Sequence, residues 1–124
     1  MEQIVQGLIG GRAAIGVCAY VAPKLTGRLF GLNPAANPQA PYLGRLFGVR
    51  DAALAYGLAT SSAGTRGHWL KVGIACDLGD AVAGILAGRS GQLPKLATVL
   101  VTTTAFAVAA AGVAVLLTDE PTAG

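Results

Sequence analysis

Charge is scarce in this sequence. Of its 124 residues only 12% are charged and six are acidic, about half the charged share usual in a soluble domain. A soluble protein of this size has a high surface-to-volume ratio and needs more charge than that to cover it. The shortage points to lipid as the solvent. One histidine and two cysteines offer neither a zinc or haem ligand pattern nor a disulfide framework, so no metal and no cofactor are expected. The net charge of +3 is too modest and too scattered for nucleic acid, and no basic run interleaves with aromatics. There is no P-loop, no GxSxG and no HExxH.

A cleaved leader is not expected either. The chain begins with Glu2 rather than a basic region, and Arg12 interrupts the first apolar stretch. A lipoprotein reading of Ile15-Gly16-Val17-Cys18 fails on the bulk of Val17.

Apolar sequence is abundant, at 53%. The clearest run is 96–118, which has no charged residue. At about 1.5 Å per residue it exceeds the roughly 30 Å hydrocarbon core of a bilayer. Three weaker segments, 3–22, 42–62 and 68–87, end at Gly, Pro or basic positions and are otherwise apolar or small. The reading is all-α: a single integral membrane domain, 1–124, forming a four-transmembrane-helix bundle. A loop with Pro23, Pro34, Pro38 and Pro41 joins the first two helices, and four prolines exclude a continuous helix there. Gly27-Arg28-Leu29-Phe30-Gly31 recurs as Gly44-Arg45-Leu46-Phe47-Gly48. Both copies read as interfacial turns, with Arg at the headgroups and Phe in the acyl boundary. Tyr20, Tyr42 and Trp69 fall near helix ends, as an aromatic belt requires. The residues from Asp119 to Gly124 read as a polar tail.

Charges inside the weaker segments cost about 2.5–3.5 kcal/mol each on insertion scales, so segments two and three are expected to enter as a paired hairpin. If they turn near Gly64, Arg50 lies level with positions 78 or 79. Asp77 and Asp80 bracket that level and share a helix face at i, i+3. Arg50 can then reach either carboxylate. Arg12 sits halfway along segment one at a similar depth. Asp51 points about 100° away from Arg50 and needs a different partner, for which Arg12 is the candidate. The five groups Arg12, Arg50, Asp51, Asp77 and Asp80 sum to one negative charge. An unpaired carboxylate in low dielectric takes up a proton or holds a cation. The cluster therefore reads either as an ion-pair network fixing helix packing or as a proton or cation site.

Small residues favour close helix packing. Gly7 and Gly11 are spaced i, i+4, as are Gly44 and Gly48, while Gly73, Asp77, Asp80, Gly84 and Ala87 form one face of segment three. Cys18 and Cys76 lie on parallel segments with a depth offset of roughly 10 Å, too far for a disulfide, and read as small apolar fillers. His68 is an interfacial residue beside Trp69, Tyr56 lies inside segment two with a hydroxyl that needs a partner, and Thr102, Thr103 and Thr104 return their hydroxyls to the helix.

Pro23, Phe30-Gly31, Gly48-Val49-Arg50-Asp51 and Cys76-Asp77-Leu78-Gly79-Asp80 give the chain a layout that resembles small bacterial four-helix membrane proteins, broadly the DoxX-type. In these a Pro-containing first loop leads to a Phe-Gly pair, an Arg-Asp in helix two and an Asp pair in helix three. The resemblance covers about residues 8–117 and implies four helices in the cell (plasma or inner) membrane. It implies no activity, because such proteins are mostly uncharacterised.

Lys24, Arg28, Arg45, Arg89 and Lys95 on one side against Arg66 and Lys71 on the other place both termini outside the cytoplasm. The preferred function is an accessory or structural subunit of a larger membrane assembly, in contact with the lipid bilayer and open to homo-oligomerisation. The alternatives are a proton- or cation-coupled carrier using Asp77 and Asp80, and a lipid- or quinone-modifying enzyme with Asp51 or Asp80 as general acid or base. A non-enzymatic role is preferred.

Overall fold

The computed structural model describes residues 1–119. They form five α-helices: α1 (Glu2–Val21), α2 (Pro23–Leu29), α3 (Ala40–Ala59), α4 (Arg66–Arg89) and α5 (Lys95–Asp119), with a 3₁₀ turn at Pro34–Ala36. No strand occurs among the described residues. The polar tail expected from residue 120 onward lies outside them.

Proline and glycine set the boundaries. Pro23 pushes Ala22 out of the helical region (φ −130°, ψ 66°), which ends α1, and then opens α2 at its first position. The segment between α1 and α3 is thus partly helical rather than an extended loop. Gly31 (φ +80°) ends α2 with paired bonds from Gly31 N to Arg28 O and from Leu32 N to Gly27 O, a Schellman cap. Gly91 (φ +76°) ends α4 in the same way through Ala87 and Gly88.

The repeated Gly-Arg-Leu-Phe-Gly segments have different fates. The first copy is the α2 terminus, as an interfacial turn would be. The second lies wholly inside α3. No breaker comes after Gly48, which is needed where it stands: a Cβ there would come within 2.5 Å of Gly16 O on α1.

The hairpin expected between segments two and three is not the dominant contact. Instead α1 packs densely on α3, and α4 on α5, while the α3–α4 and α1–α5 contacts are sparse. Missing side chains explain this pairing. Gly16 meets Gly48 and Ala52 backbone to backbone, while Gly84 and Gly88 admit Thr102 and Thr98, and Gly112 admits Ile74. α1 and α4 run parallel across the bundle, since Glu2 pairs with Arg66 at 2.7 Å and Arg12 reaches Asp77. The two helix pairs meet at one end in a cluster of Val5, Leu8, Leu58, Leu70 and Val115, flanked by Trp69. There the Trp69 ring lies over Gly57. At the other end Gly31 touches Ala97 of α5.

Large apolar side chains stand on the outside of all four long helices, among them Val17, Tyr56, Leu86, Val99 and Leu117. Only α1 and α5 are long and apolar enough on their own to cross a membrane. The internal charges of α3 and α4 set those two helices apart.

Candidate functional site

The five charged residues singled out in the sequence come together at mid-length of the bundle. Arg12, Asp51 and Asp77 are all more than nine-tenths buried. Arg12 of α1 crosses the centre to α4, where Nη1 donates to Asp77 Oδ1 at 2.9 Å and Nη2 to Oδ2 at 2.5 Å. Gly73, one turn before Asp77, makes this possible. A Cβ at that position would lie 2.9 Å from Arg12 Nη2. A cavity of about 10 Å³ lined by Leu8, Arg12, Gly73 and Gly112 adjoins the guanidinium.

Arg50 of α3 makes the second fork. Its Nη1 donates to Asp80 Oδ1 at 2.7 Å and its Nη2 to Oδ2 at 2.5 Å. Its guanidinium carbon also lies 4.8 Å from the centre of the Phe47 ring, a cation–π contact. Arg50 thus stands level with Asp80, as the hairpin arithmetic requires, although α3 and α4 barely pack. Each acid of the Asp77/Asp80 pair has its own arginine rather than competing for Arg50.

Asp51 has the expected neighbour in Arg12 and an unexpected second one in Arg50. Its Oδ1 accepts from Arg50 Nη2 at 3.2 Å and lies 3.8 Å from Arg12 Nη1. The flexible Arg50 side chain bends back toward its neighbour, so the angular separation of the two Cα–Cβ directions does not keep them apart. Asp51 is the link between the two forks.

Both forks cross from one helix pair to the other, joining α1 to α4 and α3 to α4. Bidentate Arg–carboxylate pairing fixes orientation as well as distance, and both pairs span the two halves of the bundle. The network also has an inner and an outer end. Side-chain exposure is 9% for Arg12 and 6% for Asp77, against 33% for Arg50 and 27% for Asp80.

Other residues differ from their sequence-based placement. Cys18 is free and exposed, not a buried filler; Cys76 is free and half-buried. Tyr56 points outward at 72% exposure, one turn from the end of α3, so its hydroxyl needs no internal partner. His68 stands at the start of α4, edge-on to Trp69. Gly48 is consumed by packing on α1 and Gly44 by packing on Pro23 at the start of α2, whereas Gly7 and Gly11 have nothing within 4 Å. Phe47 is the contributor that the sequence did not announce, whereas Gly73 was placed on the aspartate face as a packing residue without its contact to Arg12. The spacing of Gly73, i−4 from a buried acid, was the available signal.

Among the described residues no group of three or more His, Cys, Asp or Glu side chains is arranged to hold a metal ion. Compared with known protein families, characterised proteins and solved structures, the chain shows no significant match.

Proposed function

We propose that all four long helices cross the membrane, that the Arg/Asp network locks the two helix pairs, and that the chain serves as an accessory or structural subunit of a membrane assembly. The observation that carries this reading is an inverted distribution of side chains. Arg12, Asp51 and Asp77 are buried while large apolar residues line the outside of every long helix. That arrangement is unfavourable in water and favourable in lipid. Helices of 20 to 25 residues extend roughly 30–37 Å at 1.5 Å per residue, matching a bilayer core. The charges of α3 and α4 are paired inside the bundle, which supports their crossing alongside α1 and α5. Lys24, Arg28, Arg45, Arg89 and Lys95 lie in or beside the α1–α3 and α4–α5 connections, which approach each other where Gly31 meets Ala97; this favours that end as cytoplasmic and both termini as outside. The layout shared with DoxX-type proteins points the same way.

A lock predicts that Asp80→Asn and Arg50→Gln lower thermal stability and yield in membranes. A second reading, a proton or cation carrier, draws on the uneven network of two arginines and three aspartates, with Asp51 touching both arginines. It predicts that Asp80→Asn is as stable as wild type and abolishes proton or cation flux in proteoliposomes. That outcome would replace the structural reading.

A further inference from the structure

We infer that the seam between α3 and α4 is closed by a second copy of this chain, in a dimer whose two-fold axis runs along the bilayer normal. The inference rests on the membrane reading above. The seam is sparsely packed, unlike the α1–α3 and α4–α5 contacts. At its middle lies the Arg50–Asp80 pair, with about a third of each side chain uncovered. Arg50 is ten residues into a 20-residue helix, roughly 15 Å from either end, beyond the reach of snorkelling to the headgroups. An ion pair turned toward lipid at that depth is unfavourable. A polar partner has to cover it.

Helical spacing defines the lips of the seam. Leu46 and Ala53 flank Arg50 on α3, and Cys76 and Ala83 flank Asp80 on α4, each about one turn away. Ala53 and Ala83 are exposed and Cys76 partly so. Three of these four are small, which lets another helix approach closely.

Charge selects the occupant. Arg50 and Asp80 sit level with each other on opposite lips, since each binds the other. A two-fold axis along the normal exchanges the lips, so Arg50 of one copy faces Asp80 of the other. Four alternating charges then close into a ring, with Ala53 opposite Cys76 and Leu46 opposite Ala83. Such self-complementarity is what an isologous interface requires. A lipid phosphate would meet Asp80 beside Arg50, at a depth where headgroups do not lie. The rival surface is the outward stripe Gly7, Gly11, Ala14 and Cys18 on α1, which is small but offers no polar group to satisfy.

The two native cysteines report on these two surfaces. The full chain is expressed as Cys18→Ala, leaving Cys76, or as Cys76→Ala, leaving Cys18. Because Cys76 is partly covered, Ala83→Cys in a background lacking both native cysteines serves as a second reporter. Isolated membranes are treated with a short bis-maleimide. The expected result is a covalent dimer, through Cys76 or in the Ala83→Cys variant, at least ten times more abundant than through Cys18. Ala83→Phe added to the Cys76 reporter should reduce it at least tenfold while leaving the protein carbonate-resistant and its helix content by circular dichroism unchanged. Equal or stronger cross-linking through Cys18, silence of both the Cys76 and the Ala83→Cys reporters, or an adduct with the mass of another protein would overturn the inference alone. Release of the wild-type chain by alkaline carbonate would bring down the membrane reading and the dimer with it.

Discussion

Arg12 occupies the position where a single change should do most harm. Its guanidinium is held by both oxygens of Asp77 in the most buried part of the bundle. Arg12→Gln leaves Asp77 charged without its partner, and removing one member of a buried pair costs about 3–5 kcal/mol. The expected outcome is that loss in reversible unfolding in mixed micelles. Replacing both residues, as Arg12→Leu with Asp77→Leu, should recover most of it, because apolar replacement of a whole buried pair is often neutral. A double variant as unstable as the single would mean that the pair does more than lock helices. Gly73→Ala should cost about 1–3 kcal/mol by overpacking, since its Cβ would press on Arg12 Nη2 at 2.9 Å. The charged residues were legible because they are the few that interrupt apolar runs, and helix rise alone gives their depth. Their partners were legible in part: Arg50 with Asp80 and Arg12 with Asp51 follow from depth, whereas the Arg12–Asp77 fork and the Arg50–Asp51 bond do not. Asp51 shows why: a long arginine side chain can turn back on its own helix, and no spacing rule excludes it.

At the scale of helices, the glycines divide into two kinds that the sequence does not distinguish. Gly16 and Gly48 are pressed against the opposing backbone, whereas Gly10 has nothing within 4 Å. Gly48→Ala should therefore separate α1 from α3 and lower stability by several kcal/mol, because backbone cannot give way as a side chain can. Gly10→Ala should raise stability by about 0.5–1 kcal/mol through helix propensity. Thermal melts of the two variants followed by circular dichroism check both signs. The four long helices were readable from apolar stretches ending at Gly, Pro or basic positions, whereas α2 was not, because its Pro-containing segment reads as a loop. Helix pairing was not, because eighteen glycines supply more small faces than the fold uses. The α3–α4 hairpin looked favoured only because those two helices carry most of the charge. The repeated Gly-Arg-Leu-Phe-Gly segments give the same lesson, since the residues after Gly31 and after Gly48 decide whether a helix stops.

For the whole molecule, the bundle consists of two dense helix pairs joined by the turn after α3 and by the charged network. Fragments 1–62 and 63–124, co-expressed with different tags, should purify together in mild detergent. Arg12→Gln combined with Arg50→Gln in the first fragment should abolish that association. Survival of the complex without either arginine would show that the Val5, Leu8, Leu58, Leu70 and Val115 cluster suffices to hold the halves.

The division of charge between the halves also bears on how the chain is made. The portion translated first carries Arg12, Arg50 and Asp51, a surplus of one positive charge, and the portion translated second carries Asp77 and Asp80, two negative charges with no cation beside them in that half at the same depth. On the membrane reading, neither portion is a comfortable guest in the bilayer before the other arrives. The insertion machinery then has to shelter the first hairpin until the second emerges from the ribosome, and both enter lipid together, with the arginines of the first paired to the aspartates of the second.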